Sequence, residues 1–172
     1  LCFYAFALAS LALLGALAPQ VREIVVVDNG QAQTSSLLMS AGIASDKSSV
    51  LALGENYGVA AAQNRGIAVA KRKGATHVLL LDHDSIPAPD MVEKLFEAVE
   101  NLTGRGLKVA AVGPRYRFPD TDHYSYFVRF GKLRFKKIYC SGEDGREYIP
   151  VDFLISSGCL IPCDALNAVG QM

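Results

Sequence analysis

Residues 76–90 read THVLLLDHDSIPAPD, an apolar run that ends on two aspartates separated by one residue. The run of four apolar residues is typical of a buried strand, and Asp82 and Asp84 follow where such a strand stops. Like charges this close repel each other, so the pair is costly unless a cation, a proton or open water relieves the repulsion. The chain on either side of the pair indicates which of these applies.

Strand-like and helix-like stretches alternate before the pair and just after it. Apolar runs predict strands at 1–4, 22–29, 48–54, 76–82 and 107–114. Helices are predicted at 6–18, 33–42, 58–74 and 89–102, the last from apolar residues spaced three and four apart. This alternation predicts an α/β fold with an open, mostly parallel sheet and helices on both faces.

The predicted strands place their acidic residues at their carboxyl ends. Asp28 ends the strand at 22–29, and Asp82 and Asp84 end the strand at 76–82. In open α/β sheets, ligands bind in the crevice beyond the carboxyl ends of the strands. We therefore expect all three carboxylates to line one crevice.

The pattern changes after residue 115. Aromatic and basic residues alternate over 123–153, which predicts β-hairpins as a small antiparallel addition after about residue 120. The basic residues of this stretch suit an anionic ligand, or equally an edge strand that charge protects from pairing. A last apolar strand at 154–162 is interrupted by Ser156, Ser157 and Gly158. The chain is predicted to form one domain, with its core at 1–115 and the hairpin region at 116–172.

Composition narrows the function classes. The 172 residues include 17 basic and 17 acidic side chains, and this zero net charge argues against nucleic acid as a partner. The four cysteines lack the spacing of a zinc site and are expected to be reduced thiols. Residues 1–21 carry no charge, but their glycine, proline and alanines favour a buried strand and helix over a membrane span. Both ends of the sequence read as cut, and the fold is expected to be truncated at its carboxyl end.

Paired carboxylates at the mouth of a crevice suit a divalent metal. Mg²⁺ and Mn²⁺ take hard oxygen ligands, usually one or two carboxylates together with phosphates and water. The alternative is that one aspartate caps the helix at 89 while the other is solvated. Two carboxylates at one strand end favour the metal, which would stabilise a diphosphate as a leaving group.

Five blocks of sequence resemble a known family, in order and at matching spacing. They are EIVVVDNG (23–30), GENYGVAAAQNRGI (54–67), HVLLLDHDSIPAPDMVEKL (77–95), VAAVGPRY (109–116) and FLISSGCLIP (153–162). Together they resemble bacterial family-2 glycosyltransferases of GT-A fold, and within them the rhamnosyltransferase branch. The resemblance implies an inverting enzyme that moves a sugar, by expectation L-rhamnose, from a nucleotide-diphosphate donor to a glycan or lipid-linked glycan acceptor. It also implies a Mg²⁺ or Mn²⁺ cofactor, and work in the cytoplasm with peripheral association at the inner membrane face.

The resemblance assigns roles to the residues that match the family's motifs. Asp28 matches the acidic residue that reads the nucleobase, although an Asx turn with Asn29 and Gly30 can hold at the same time. The segment lining the nucleotide-sugar pocket is matched by Asn56, Gly58 and Asn64.

The Asp-x-Asp motif and the last strand supply the remaining matches. Asp84 is expected to be the direct metal ligand, with Asp82 contacting the ribose or the metal through water and His83 as a spacer. Ser157 and Gly158 match the segment near the donor sugar and acceptor, where a backbone bulge is the competing interpretation.

The sequence departs from the family at two places. The family's first strand usually ends in Thr-Tyr-Asn, whereas here Tyr4 runs directly into Ala5. The general base that takes the acceptor's proton is expected beyond Met172. Asp152 and Asp164 are candidates for that base by chemistry only.

Two further functions remain open from the sequence. A phosphatase of the haloacid dehalogenase type also uses a strand-terminal Asp-x-Asp, but on its first strand and followed by threonine or valine. The second is a nucleotide-sugar-binding module without catalysis, which the expected position of the base makes plausible.

Overall fold

The computed structural model describes residues 11–30, 38–82, 84–118, 124–132, 134–139, 145 and 147–172. Its helices are α1 (Leu11–Leu17), α2 (Val59–Arg72), α3 (Met91–Gly104) and α4 (Cys163–Val169). Its strands are β1 (Ile24–Asp28), β2 (Ser48–Ala52), β3 (His77–Leu80), β4 (Tyr126–Phe130), β5 (Phe135–Tyr139) and β6 (Cys159–Pro162).

Strands β1 and β3 are covered by helices on both faces. Successive side chains of a strand point to opposite faces, so alternate residues enter different clusters. Ile24, Val26 and Leu79 pack in one cluster with α1 and α3, while Val25 and Val78 pack in another with α2 and α4. The result is a layer of strands between two layers of helix, which confirms the predicted α/β, GT-A-like class.

The described strands form one parallel pair and two antiparallel pairs. β1 and β2 are parallel, in register from Ile24 opposite Ser48 to Asp28 opposite Ala52. β3 and β6 are antiparallel, in register from His77 opposite Pro162 to Leu80 opposite Cys159. β6 and α4 contribute Leu160 and Leu166 to the same two clusters.

The predicted antiparallel addition after residue 120 is the hairpin of β4 and β5. Their register runs from Tyr126 opposite Tyr139 to Phe130 opposite Phe135, and the Gly131 N–H closes the turn on the Arg134 carbonyl at 2.9 Å. A bridge between Val128 and Phe153 attaches the hairpin to the chain that leads into β6.

Some predicted elements differ in extent. The strand predicted at 107–114 is reduced to one bridge, in which Val112 and Leu160 exchange two hydrogen bonds. Pro114, which has no N–H to donate, stands two residues later. The helix predicted from residue 89 begins at Met91. The strand predicted at 1–4 and residues 33–37 of the second predicted helix lie outside the described residues.

Two of the four cysteines lie in the described part of the chain, and both are buried and unoxidised. Burial raises the pKa of the Cys159 thiol to about 11, so at neutral pH this side chain is an uncharged core residue. Cys163 is likewise free. These two behave as the predicted reduced thiols.

Within the described ranges, no helix has both the length and the apolar character that crossing a membrane requires.

Candidate functional site

The parallel pair β1–β2 brings the ends of two strands together around Asp28. This aspartate is only 6% exposed, and its Oδ1 accepts a hydrogen bond from the Gly30 N–H at 3.1 Å. Its carbonyl oxygen accepts the Leu53 N–H at 2.9 Å, which continues the pairing past the end of β2. The predicted Asx turn is therefore present, and it fixes the orientation of the carboxylate at the carboxyl edge of the sheet.

Asn29 ties this edge to the loop that follows β2. Its Nδ2 donates to Asn56 Oδ1 at 2.9 Å and to the Gly58 carbonyl at 3.3 Å, while its Oδ1 accepts the Tyr57 N–H at 2.9 Å. Asn56 Oδ1 also accepts the Gly58 N–H at 2.9 Å. We call Asp28, Asn29, Asn56 and Gly58 the β1 edge group.

The antiparallel pair β3–β6 forms a second group. Because the two strands run in opposite directions, the turn that precedes β6 lies beside the residues that follow β3. The Asp82 N–H donates to Ser157 Oγ at 3.1 Å, and Ser157 Oγ lies 2.6 Å from Ser85 Oγ. The Gly158 N–H donates to the Leu80 carbonyl at 2.7 Å. We call Asp82, Ser85, Ser157 and Gly158 the β3 edge group.

Gly158 occupies a position that only glycine fits. Its φ is +81°, and a Cβ at this position would lie 2.8 Å from Cγ and 2.9 Å from Cδ of Pro114. An L side chain would therefore meet both backbone strain and a rigid ring. The bulge that competed with a ligand role for Ser157 and Gly158 is thus a tight turn that places Ser157 against Asp82.

The predicted metal ligands lie at the end of β3. Asp82 is half-buried and Asp84 is exposed, while His83 lies outside the described residues. No group of three or more His, Cys, Asp or Glu side chains that could hold a metal occurs in the described ranges. Mg²⁺ is commonly held by one or two carboxylates together with substrate phosphates and water. The two hard oxygen donors here fit that kind of site and fit a site built wholly from protein ligands poorly.

Three more of the predicted residues have defined surroundings. The Asn64 side chain donates to the Met172 carbonyl at 2.6 Å and accepts the Met172 N–H at 3.0 Å, so the structure joins it to that segment. Asp152 Oδ2 accepts the Phe130 N–H at 2.8 Å, which commits that oxygen to the hairpin. Asp164 is exposed in the first turn of α4.

A cavity of about 320 Å³ lies beside the β3 edge group. Ser157 is part of its wall, and the rest comes from segments 113–118, 124–128 and 153–155, including the aromatic rings of Tyr116, Tyr124, Tyr126 and Phe153. A larger hollow of about 600 Å³ lies elsewhere, between Pro19–Arg22 and the start of α3. The smaller cavity is the more relevant one, because it adjoins the Asp82 loop.

Sequence reasoning misses residues that hold the site together. The sequence places Asn29 only in a turn, yet its amide makes three of the contacts in the β1 edge group. Ser85 makes a side-chain contact to Ser157 across 72 residues of sequence. Arg65 stacks over the Tyr57 ring at 3.9 Å and holds an exposed aromatic ring beside Gly58. An asparagine directly after a strand-terminal aspartate was the one available signal.

Comparison with known proteins decides the family. The family profile described as glycosyl transferase family 2 matches residues 5–170, nearly the whole chain. The chain belongs to glycosyl transferase family 2. It is 30% identical over 165 residues to the dTDP-rhamnosyl transferase RfbF of Shigella flexneri, which confirms the resemblance to the rhamnosyltransferase branch. The haloacid dehalogenase alternative is left without support.

Solved structures resemble this family-2 chain as well. The crystal structure of residues 1–349 of TarS from S. aureus aligns with 98% of this chain at a TM-score of 0.59 and 15% identity, which supports the fold alone. The mannosyltransferase PcManGT of Pyrobaculum calidifontis, solved with GDP-Man and Mn²⁺, aligns with 67% of this chain and 35% of its own, at a TM-score of 0.46 and 23% identity.

The match covers only part of these larger proteins. This family-2 chain accounts for 92% of its own length in the alignment to RfbF but 52% of that protein, and for 49% of the TarS chain. The chain therefore spans about half the length of the relatives it matches.

The turn at Gly158 can be tested by substitution. We expect Gly158→Ala to lower the free energy of unfolding by about 2–4 kcal/mol, since it adds a clash with Pro114 to the cost of a positive φ. Gly106→Ala is the matched control, because its φ is +80° and nothing lies within 4 Å of the added Cβ. The control should cost only about 1–2 kcal/mol in chemical denaturation. Equal losses in the two variants would show that the turn does not press on Pro114.

Proposed function

We propose that this chain binds a nucleotide-diphospho-sugar and forms the donor-binding part of an inverting rhamnosyltransferase. The observation that carries the proposal is the β1 edge group, in which a buried carboxylate is held at the carboxyl end of a parallel strand pair. That is where nucleotides bind in open α/β sheets. Similarity to a dTDP-rhamnosyl transferase supports dTDP-L-rhamnose as the donor.

The β1 edge group would bind the nucleoside. Asp28 has one oxygen occupied by the Gly30 N–H, and its carboxylate would accept a hydrogen bond from the N–H of a pyrimidine base. The hydrogen bonds of Asn29 hold the loop of Asn56 and Gly58 close to Asp28, so the two sides of the pocket are oriented before the ligand arrives. Asn64 is the weakest member of the proposed set, because its amide is engaged by Met172.

The β3 edge group would hold the diphosphate end of the donor. Asp84 is exposed and lies beyond the end of the strand, which suits a direct ligand of Mg²⁺ or Mn²⁺, and Asp82 would contact the ribose or the metal. A bound divalent ion would supply positive charge to the diphosphate leaving group. The hydrogen bond from the Asp82 N–H to Ser157 Oγ holds the Asp82 loop in place while the donor binds.

Transfer would occur on the Ser157 side of the pair. Ser157 adjoins both the Asp82 loop and the aromatic cavity, so an acceptor glycan in that cavity would lie next to the donor sugar. Inversion requires a base to remove the proton of the acceptor hydroxyl, and we assign that base to the protein beyond Met172. Asp152 fits the role poorly because one of its oxygens accepts the Phe130 N–H.

The proposed acceptor is a growing lipid-linked glycan at the cytoplasmic face of the membrane. Nucleotide sugars and the proposed metal would reach the site from the cytoplasm. In this arrangement the chain acts as a single nucleotide-sugar-binding domain, whose hairpin region faces the acceptor.

The metal role is tested by Asp84→Ala. Calorimetry with dTDP should show that Mn²⁺ strengthens binding to the unchanged chain, and that this gain falls at least roughly tenfold in the variant because a first-sphere carboxylate is gone. Asp46→Ala is the matched control, an exposed aspartate before the amino end of β2. A Mn²⁺ effect of the same size in Asp84→Ala and in the control would contradict the assignment.

The nucleobase role is tested by Asp28→Asn. The amide oxygen of asparagine can still accept the Gly30 N–H, so the turn should survive while the charged acceptor for the base is lost. We expect the dissociation constant for dTDP to rise roughly tenfold or more, with the Mn²⁺ effect retained. Unchanged dTDP affinity in a variant whose melting temperature matches the parent chain would remove Asp28 from the site.

A further inference from the structure

The hairpin displays an uncovered tip with an unusual composition. We call residues 129–132 and 134–136 the hairpin tip, and every one of them is exposed. Phe130 and Phe135 stand directly opposite each other in the register, at 64% and 58% exposure. Phenylalanine at such exposure loses the benefit of burial, so a facing pair indicates a surface that is covered in use.

The charge around the two rings has one sign. The tip carries four basic residues, Arg129, Lys132, Arg134 and Lys136, and the sequence has no acidic residue between Tyr124 and Cys140. The chain as a whole has no net charge, so this concentration of cations is local. Electrostatic complementarity therefore requires an anionic partner.

Aromatic residues continue along the same face of the hairpin. Tyr126 and Tyr139 are opposite each other, so they share a face with Phe130 and Phe135, and their ring centroids are 5.8 Å apart. Lys137 lies over the Tyr126 ring at 4.2 Å. Phenylalanine at the end, tyrosine behind it and cations alongside match the order of a membrane interface, where rings sit at the level of the headgroups.

From these observations we infer that the hairpin tip docks on the surface of a bilayer containing anionic phospholipid. Phe130 and Phe135 enter the interfacial region, and the surrounding lysine and arginine side chains bind headgroup phosphates. The inference needs neither a bound nucleotide nor a metal, so it stands or falls separately from the proposed transferase function.

Edge protection and self-association fit the composition of the tip less well. Charge that protects an edge strand from pairing accounts for the lysines and arginines, but not for two exposed phenylalanines at the most accessible point. A second copy of the chain would cover the rings, but a two-fold interface at the tip would place its cations beside their own equivalents. An anionic bilayer covers the rings and balances the cations together.

The hairpin is linked by hydrogen bonds to the candidate site. The Phe130 N–H donates to Asp152 Oδ2 at 2.8 Å, and the Asp152 N–H donates to the Val128 carbonyl at 3.0 Å. The chain then runs five residues from Asp152 to Ser157, which contacts Asp82. A bilayer bound at the tip therefore lies on the side of the site where a lipid-linked acceptor would enter.

The test is flotation of the full chain with vesicles, without nucleotide or metal. Vesicles of phosphatidylcholine with phosphatidylglycerol should carry the chain at low salt, and high salt should weaken the association. Pure phosphatidylcholine should carry much less. Failure of the chain to float with the anionic vesicles at low salt would overturn the inference, as would equal flotation with both compositions.

Two pairs of substitutions separate charge from ring insertion. Lys132→Gln with Arg134→Gln removes two charges at the turn and should lower partitioning roughly thirtyfold. Arg72→Gln with Lys108→Gln removes the same charge at two exposed positions elsewhere and should have little effect. Equal losses in the two double variants would mean that overall charge, not the tip, drives binding.

The aromatic contribution is read from Phe130→Ser with Phe135→Ser. This variant should lose the association that persists at high salt, while Leu107→Ser, an isolated exposed apolar residue, should keep it. Sedimentation velocity without vesicles distinguishes a second copy as the partner. A concentration-dependent dimer of the parent chain that the serine variant abolishes would overturn the membrane assignment.

Discussion

The rest of this structure depends on the burial of β1 and β3 on both faces. Every residue of β1 is buried, and three of the four residues of β3 are buried too, with alternate side chains entering two separate helix-covered clusters. A strand in that position has no face on which a carboxylate can meet water. Acidic residues are therefore confined to the strand ends, where Asp28 and Asp82 stand, and the chemistry of the chain is concentrated at the edge of the sheet.

The two parts of the candidate site come from two kinds of strand pairing. Parallel pairing of β1 with β2 brings two carboxyl ends together, which allows Asn29 to bind the loop of Asn56 and Gly58. Antiparallel pairing of β3 with β6 brings a carboxyl end to an amino end, which places Ser157 on the Asp82 loop. The hairpin then joins the second part through Asp152. Donor binding, acceptor approach and membrane contact are thereby assigned to consecutive parts of one connected edge.

Much of the fold could be read from the sequence, because apolar period and turn residues are local signals. The run at 22–29, the helical spacing at 89–102 and the turn at Gly131 all led to the right elements. The direction of β6 could not be read, since an apolar strand looks the same either way, and the run at 107–114 pairs through only Val112. Contacts such as Ser85 to Ser157 depend on that direction and so were beyond sequence reasoning.

The central claim is that the aspartates at the end of β3 hold a metal ion over a nucleotide diphosphate bound beside Asp28. The most direct measurement is a crystal structure of the chain grown with dTDP and Mn²⁺, with the anomalous scattering of manganese used to locate the ion. The account predicts one strong peak within coordination distance of an Asp84 carboxylate oxygen, and a base within hydrogen-bond distance of Asp28. Manganese bound away from Asp82 and Asp84, with the diphosphate well ordered, would contradict it.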